Sequence, residues 1–146
     1  MYEKDSFDLD DRLITFSLSI IELADKLPNS FGSRHIANQL IRSGSAPALH
    51  YAEAHATESR KDFIHKMKTA LKELRETYTA LRIVKRANWL SGEFLSSIID
   101  ENNQLIAIFV TSVATAERNE RKARENKKNK SSNRNADTDT KNTDNP

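Results

Sequence analysis

The chain has 146 residues, of which 37% are hydrophobic and 30% charged, with three Gly, three Pro and no Cys. That length suits one domain, the scarcity of helix breakers favours an all-α fold, and the absence of cysteine excludes a disulfide framework or a thiolate metal site. No apolar run approaches the ~18–20 residues that span a bilayer. The acidic start MYEKDSFDLDDR lacks the basic-then-apolar layout of a signal peptide, so a soluble cytoplasmic protein is expected.

The formal net charge of +2 conceals a polarised chain. Residues 1–31 carry seven acids and three bases (net −4), whereas residues 59–87 carry nine bases and three acids (net +6). Residues 117–146 add nine bases and six acids (net +3). Such separation bears on partners more than on fold.

Four helices are predicted. The first spans about 8–27, where Leu9, Leu13, Phe16, Ile20, Leu23, Ala24 and Leu27 recur at helical spacing. Asp8, Asp10 and Asp11 suit its positive N-terminal end, and Pro28-Asn29-Ser30 stops it. The second spans about 32–56, with Ser33 as N-cap and Ile36, Leu40, Ile41, Ala48, Tyr51 and Ala52 on its apolar face. Gly44 and Pro47 predict a kink rather than a break there, and Gly44, Ala48 and Ala52 offer a neighbouring helix a close approach.

The third helix, about 59–87, opens on Ser59 and Asp62 in a capping-box arrangement. Phe63, Met67, Ala70, Leu74, Tyr78 and Leu81 form its apolar seam. On the other side lie Lys61, His65, Lys68, Lys72, Arg75, Arg82 and Arg86, also spaced by threes and fours. Asn88 to Gly92 make the next turn, with Trp89 plugging the bundle end. The fourth helix, about 91–118, carries Leu95, Ile98, Ile99, Leu105, Ile106, Phe109 and Val113 on one face, interrupted by Asn102 as a register-setting polar contact. Residues 1–116 therefore form an antiparallel up-down-up-down bundle. Residues 117–146 hold no large apolar residue and read as a charged, largely disordered tail, whose first part could continue the fourth helix as a charged extension.

Chemistry is sparse. A di-metal bundle needs Glu-x-x-His on two helices, and none occurs; Asp62-x-x-His65 is the nearest match, with His65 on the basic stripe. His35, His50 and His55 lack zinc spacing, and no phosphate loop or deaminase signature is present. Neither catalytic residue, metal nor cofactor is expected. Glu73 and Glu76 suit pairing with a base on the second helix such as Arg42, rather than acid–base catalysis.

The cationic stripe admits three readings: a solvated face, a footprint on a nucleic-acid backbone, or a docking surface for the acidic first helix of another copy. At ~1.5 Å per residue it extends for nearly 40 Å, enough to follow several phosphates. No aromatic residues interleave with the bases, so any such binding would be backbone-driven, sequence-tolerant and salt-sensitive.

The runs IANQLIRSGSAPALHYAEA (36–54) and KTALKELRETYTAL (68–81), with the Ser59–Asp62–Phe63 start between them, resemble the four-helix-bundle proteins encoded in intervening sequences of bacterial 23S ribosomal RNA genes. That family is also called the S23 ribosomal protein family, and the resemblance covers roughly residues 7–115. It implies interhelical ties at Arg42, Glu53, Glu73 and Glu76. The family is in turn similar to the accessory variability determinant of diversity-generating retroelements. This implies a ring-like homo-oligomer, a pentamer, with RNA or DNA and a reverse transcriptase as partners.

The resulting expectation is a non-enzymatic, oligomeric helical bundle that binds RNA or DNA weakly. Lys61, Lys68, Lys72, Arg75, Arg82 and Arg86 would make the contacts, assisted by Arg118, Arg121, Lys122 and Arg124. The alternative is a protein–protein adaptor whose basic third helix docks on a neighbouring subunit or another protein, with no nucleic-acid role.

Overall fold

Pro28, Asn88 and Gly92 fall in connections, and four helices run between them in the computed structural model, which describes residues 2–139 and the side chains of residues 8–138. The helices are α1 (Tyr2–Asp25), α2 (Phe31–Ala56), α3 (Arg60–Arg86) and α4 (Glu93–Asp139). Short connections at 26–30, 57–59 and 87–92 turn each helix back along its predecessor. α3 packs on both α2 and α4, α2 also packs on α1, and α1 meets α4 more sparingly. The fold is the expected all-α, up-down-up-down four-helix bundle, with no strand among the described residues.

Several boundaries differ from expectation. α1 opens at Tyr2, so Asp8, Asp10 and Asp11 lie in its second and third turns rather than at its positive end. No Gly or Pro stands before Asp8 to prevent the extension. α1 closes two residues early, where Lys26 N–H donates to the Leu23 carbonyl (3.0 Å) and Leu27 N–H to that of Ala24 (3.3 Å). Ser30, not Ser33, caps α2: its backbone is extended and its Oγ accepts from Ser33 N–H at 3.4 Å. Capping needs a residue still outside the helix, and Ser33 is already inside it and fully buried. α2 then runs unbroken through Pro47.

The α3 start is as expected, with Ser59 Oγ accepting from Asp62 N–H at 3.2 Å. Its end is a Schellman turn. Trp89 N–H donates to the Val84 carbonyl and Asn88 N–H to that of Lys85, both at 3.2 Å, with Asn88 at φ 56°. Asn tolerates that left-handed conformation. Trp89 is half-buried and faces Gly32 at the same end of the bundle. The second left-handed residue of this turn, Gly92 (φ 95°), precedes α4.

The core follows the predicted seams. Leu13, Phe16, Ile20 and Leu23 of α1 meet Leu40 and Tyr51 of α2, Met67, Leu74 and Leu81 of α3, and Leu95, Leu105 and Phe109 of α4. Ile41 and Ala52, expected on the α2 apolar face, are instead exposed, because α2 turns Leu40, Ser43, Gly44 and Pro47 inward. A polar layer crosses the middle of the bundle. Thr77 Oγ1 donates to the Glu73 carbonyl (2.8 Å) and lies 2.9 Å from Ser43 Oγ, with which it shares a hydrogen bond. Asn102 is completely buried and donates through Nδ2 to the Leu74 carbonyl at 3.2 Å.

α4 continues far past its expected end near residue 118. Within the described part, the tail expected to be largely disordered is helical to Asp139, and residues 140–146 lie outside the described residues. The segment has no Gly or Pro before Pro146, and nine of its thirty residues are Lys or Arg, both strong helix formers. Burial nevertheless ceases after Val113, and every residue from Arg124 to Thr138 is exposed.

α1 approaches α2 closely at Gly44, where an added Cβ would stand 2.7 Å from Ile20 Cγ2 and 2.9 Å from its Cγ1. Gly44→Ala should therefore destabilise the bundle by about 1–2 kcal/mol. Overpacking of ~1–3 kcal/mol outweighs the ~1 kcal/mol that Ala gains in helix propensity. Urea unfolding followed by circular dichroism checks the sign, since an isolated helix would move the other way.

Candidate nucleic-acid interface

α3 carries its charge in an ordered way. The seam that buries Met67, Ala70, Leu74 and Leu81 turns Lys61, Lys68, Lys72, Arg75, Arg82 and Arg86 outward, and all six are exposed. The helix also bears Glu73 and Glu76, which turn toward α2. There the Arg42 guanidinium spans both carboxylates, with Nη1 3.1 Å from Glu73 Oε2 and Nη2 2.7 Å from Glu76 Oε2. Hydrogen bonding from Arg42 holds the Glu76 carboxyl below its ordinary range, and the same contact raises Arg42. One turn from the start of α3, Lys66 ties to Glu53 of α2 at 2.5 Å and lowers that carboxyl too. The acids are thus engaged between α2 and α3, and the outer face is left cationic.

Within the stripe the six bases are not equivalent. Lys68 Nζ is 2.5 Å from Glu117 of α4, and this hydrogen bond holds Glu117 below the usual carboxylate range. The Arg82 guanidinium lies over the Tyr78 ring, 5.6 Å from its centroid. Among the described residues, no carboxylate comes within 4.0 Å of Lys61, Lys72, Arg75 or Arg86. Lys72 and Arg75 border a shallow groove of about 760 Å³ that Ile36, Leu71, Ala80 and Ile83 also line. His65 is exposed on the same face.

The structure brings part of the tail to this stripe. Arg121 and Arg124 of α4 join Lys61 around a small depression that also contains Glu117 and Glu120. Arg124 Nε is 3.2 Å from Glu120 Oε1, and Arg60 donates to the Asn119 carbonyl at 3.1 Å. Arg118 and Lys122 are exposed but stand outside that depression.

Periodicity alone did not reveal a second surface. Ile14, Leu18 and Ile21 of α1 are 47%, 62% and 38% exposed, and Ile41 and Leu49 of α2 are exposed as well. Their spacing by three and four was legible as a second apolar stripe on α1. The contacts of Ser17 Oγ with the Gly44 carbonyl (3.3 Å) and of Ile20 with Gly44 set the α1–α2 register. In that register Ile21 falls near Ile41, and Ile14 near Leu49, on the outer side of the pair.

No group of three or more His, Asp or Glu residues is disposed to hold a metal ion among the described residues. His55 stacks edge-on against Tyr51, with ring centroids 4.4 Å apart, and His50 lies 3.9 Å from Glu53. No described helix is long and apolar enough to cross a membrane.

A family model described as 23S rRNA-intervening sequence protein matches residues 8–111. No curated protein matches the chain. Among solved structures, a crystal structure at 1.70 Å is similar: a protein of unknown function from the S23 ribosomal protein family of Bacteroides thetaiotaomicron. It shares 27% identity, with a TM-score of 0.69 over 75% of this chain and 97% of that one.

Because Glu76 and Glu117 titrate below an ordinary carboxylate when folded, their ties add stability above pH ~4.3. That contribution disappears as pH falls through their lowered values. Acid titration by circular dichroism should therefore show stability falling below pH ~4. Glu76→Gln should be less stable than the parent at neutral pH and show a shallower acid slope.

Proposed function

The chain belongs to the 23S rRNA-intervening sequence protein family, and from that premise we propose that it is a non-enzymatic bundle that binds the backbone of RNA or DNA. The outer face of α3 is the primary contact and the base of the α4 extension assists. The observation that carries this reading is the segregation of charge on α3: six exposed bases share one face while Glu73 and Glu76 are held by Arg42 on another. Lys72, Arg75 and Arg86, which lack a carboxylate partner, are the residues from which phosphates would take least competition. The face is long and straight, the groove beside Lys72 and Arg75 is shallow, and the one ring near the stripe, Tyr78, is covered by Arg82, so no open aromatic platform marks it for single bases. Binding is accordingly weak and sequence-tolerant on α3.

Fluorescence anisotropy with labelled RNA and duplex DNA, across rising salt, is the test. Each neutralised phosphate contributes ~0.9 to the log–log slope on B-form DNA, so a slope of about 3–5 is expected. Lys72→Glu combined with Arg75→Glu should weaken binding at least about tenfold and lower the slope by ~2. The helical circular dichroism signal should stay unchanged, because neither side chain is buried or paired. Unaltered affinity in that variant sinks the reading.

The exposed apolar stripe of α1 and α2 supports self-assembly into a homo-oligomer, for which the family resemblance implies a pentamer. Leu18→Lys should reduce the mass measured by light scattering to that of the monomer without loss of stability, since Leu18 is 62% exposed. The adaptor reading draws instead on the basic face of α3, docked on a neighbouring subunit or another protein. It predicts no binding to nucleic acid at any salt, and dissociation of the assembly when Lys72 and Arg75 are reversed.

A further inference from the structure

Beyond Ala116 the α4 arm has charge, length and a fixed point of departure, but no core. It is tied to the bundle at its root by Lys68 to Glu117 and by Arg60 to the Asn119 carbonyl. From Arg118 to Arg134 it carries eight bases and two acids. Several of these bases stand three or four apart, among them Arg124 with Lys127 and Lys128, and Lys130 with Arg134. Such like-charge neighbours oppose the free helix by a few tenths of a kcal/mol each, an opposition that phosphates would relieve.

Four of the arm's five described asparagines share a side of the helix, and the fifth, Asn135, lies on the opposite one. Asn119, Asn126 and Asn133 repeat every seven residues, with Asn129 between the last two. At ~100° per residue all four fall in a sector of about 80°. Lys122 lies within that sector, and Arg118 and Lys130 border it. The other bases point elsewhere around the helix, and the exposed surface leaves every side of the arm open.

An asparagine amide presents a donor and an acceptor side by side, which pairs with N6 and N7 of adenine in the major groove. Bordering Lys and Arg side chains suit the flanking phosphates. A B-form major groove is ~12 Å wide and admits a helix, whereas the deep, narrow groove of A-form RNA does not. B-form DNA turns once in about 10 base pairs, so one face of a straight helix meets only a few adjacent pairs, and one or two of the asparagines would reach bases at a time.

We propose that the α4 arm is a DNA-reading helix, which lies in the major groove of a B-form duplex with its asparagine face turned to adenine. This rests on the nucleic-acid reading above and adds to it a substrate class and a source of selectivity. α3 holds backbone; the arm reads bases.

The test uses the full chain and duplexes randomised at their centre, selected over successive rounds of binding. The expected outcome is enrichment of adenines within a short central window, with added DNA raising the helical circular dichroism signal. Replacing those adenines by 7-deazaadenine removes the N7 acceptor and should weaken binding about tenfold. Asn126→Ala with Asn133→Ala should abolish the enrichment while leaving the salt slope intact, and Ala does not weaken the helix. Salt-dependent binding with no enrichment and no response to 7-deazaadenine overturns the proposal and leaves the backbone reading standing. So does binding confined to RNA hairpins. Failure to bind any duplex or RNA at low salt removes both.

Discussion

Arg42 is the contact on which the character of this molecule depends. One guanidinium reaches from α2 to two carboxylates of α3, at 3.1 and 2.7 Å. An exposed ion pair is ordinarily worth only ~0–1 kcal/mol, but here its geometry matters more than its strength. By drawing Glu73 and Glu76 to the α2 side, Arg42 leaves Lys72 and Arg75 without a direct ion pair on the outer face. Lys66 with Glu53 repeats the arrangement farther up the same interface. The ties that join α2 to α3 are therefore the ones that make α3 cationic outside.

The interior adds constraints of a different kind. Gly44 lets α1 seat Ile20 directly on α2, and the hydroxyls of Ser43 and Thr77 meet nearby. On the other side of α3, Asn102 ties α4 to the Leu74 carbonyl. These buried polar contacts have partners only when the helices stand at one level, so sliding a helix by a turn would strand them. They favour one register where leucine packing alone would accept several.

Much of this was legible from spacing. The seam of α4 was read correctly because its apolar residues keep a 3.6-residue period; on α3 the seam holds except at Tyr78, which lies outside the core under Arg82 while Thr77 and Ala80 turn inward. On α1 and α2 the period was less decisive. Ile14, Leu18 and Ile21 repeat as regularly as the core residues, and Ile41 sits beside Leu40, so composition cannot say which stripe turns inward. Capping was misjudged at Ser33 because two serines stand three apart, and only the extended backbone at Ser30 distinguishes them. The pairing of Arg42 with Glu73 and Glu76 followed from charge type and helix order. The arm was read only in its first part, as a charged extension of α4, because a Lys- and Asn-rich sequence has the composition of a disordered tail whether or not it is helical.

The length of α4 also shapes how the molecule moves through solvent. Its 47 residues make a rod of about 70 Å, against about 40 Å for the 27 residues of α3. A particle with such a projection tumbles slowly about two axes and drags more water than a sphere of 16.6 kDa. It will elute early from a sizing column even as a single chain. Its Stokes radius thus reports on the arm as much as on the number of subunits, and shortening the arm should delay elution without changing the scattered mass per particle beyond the residues removed.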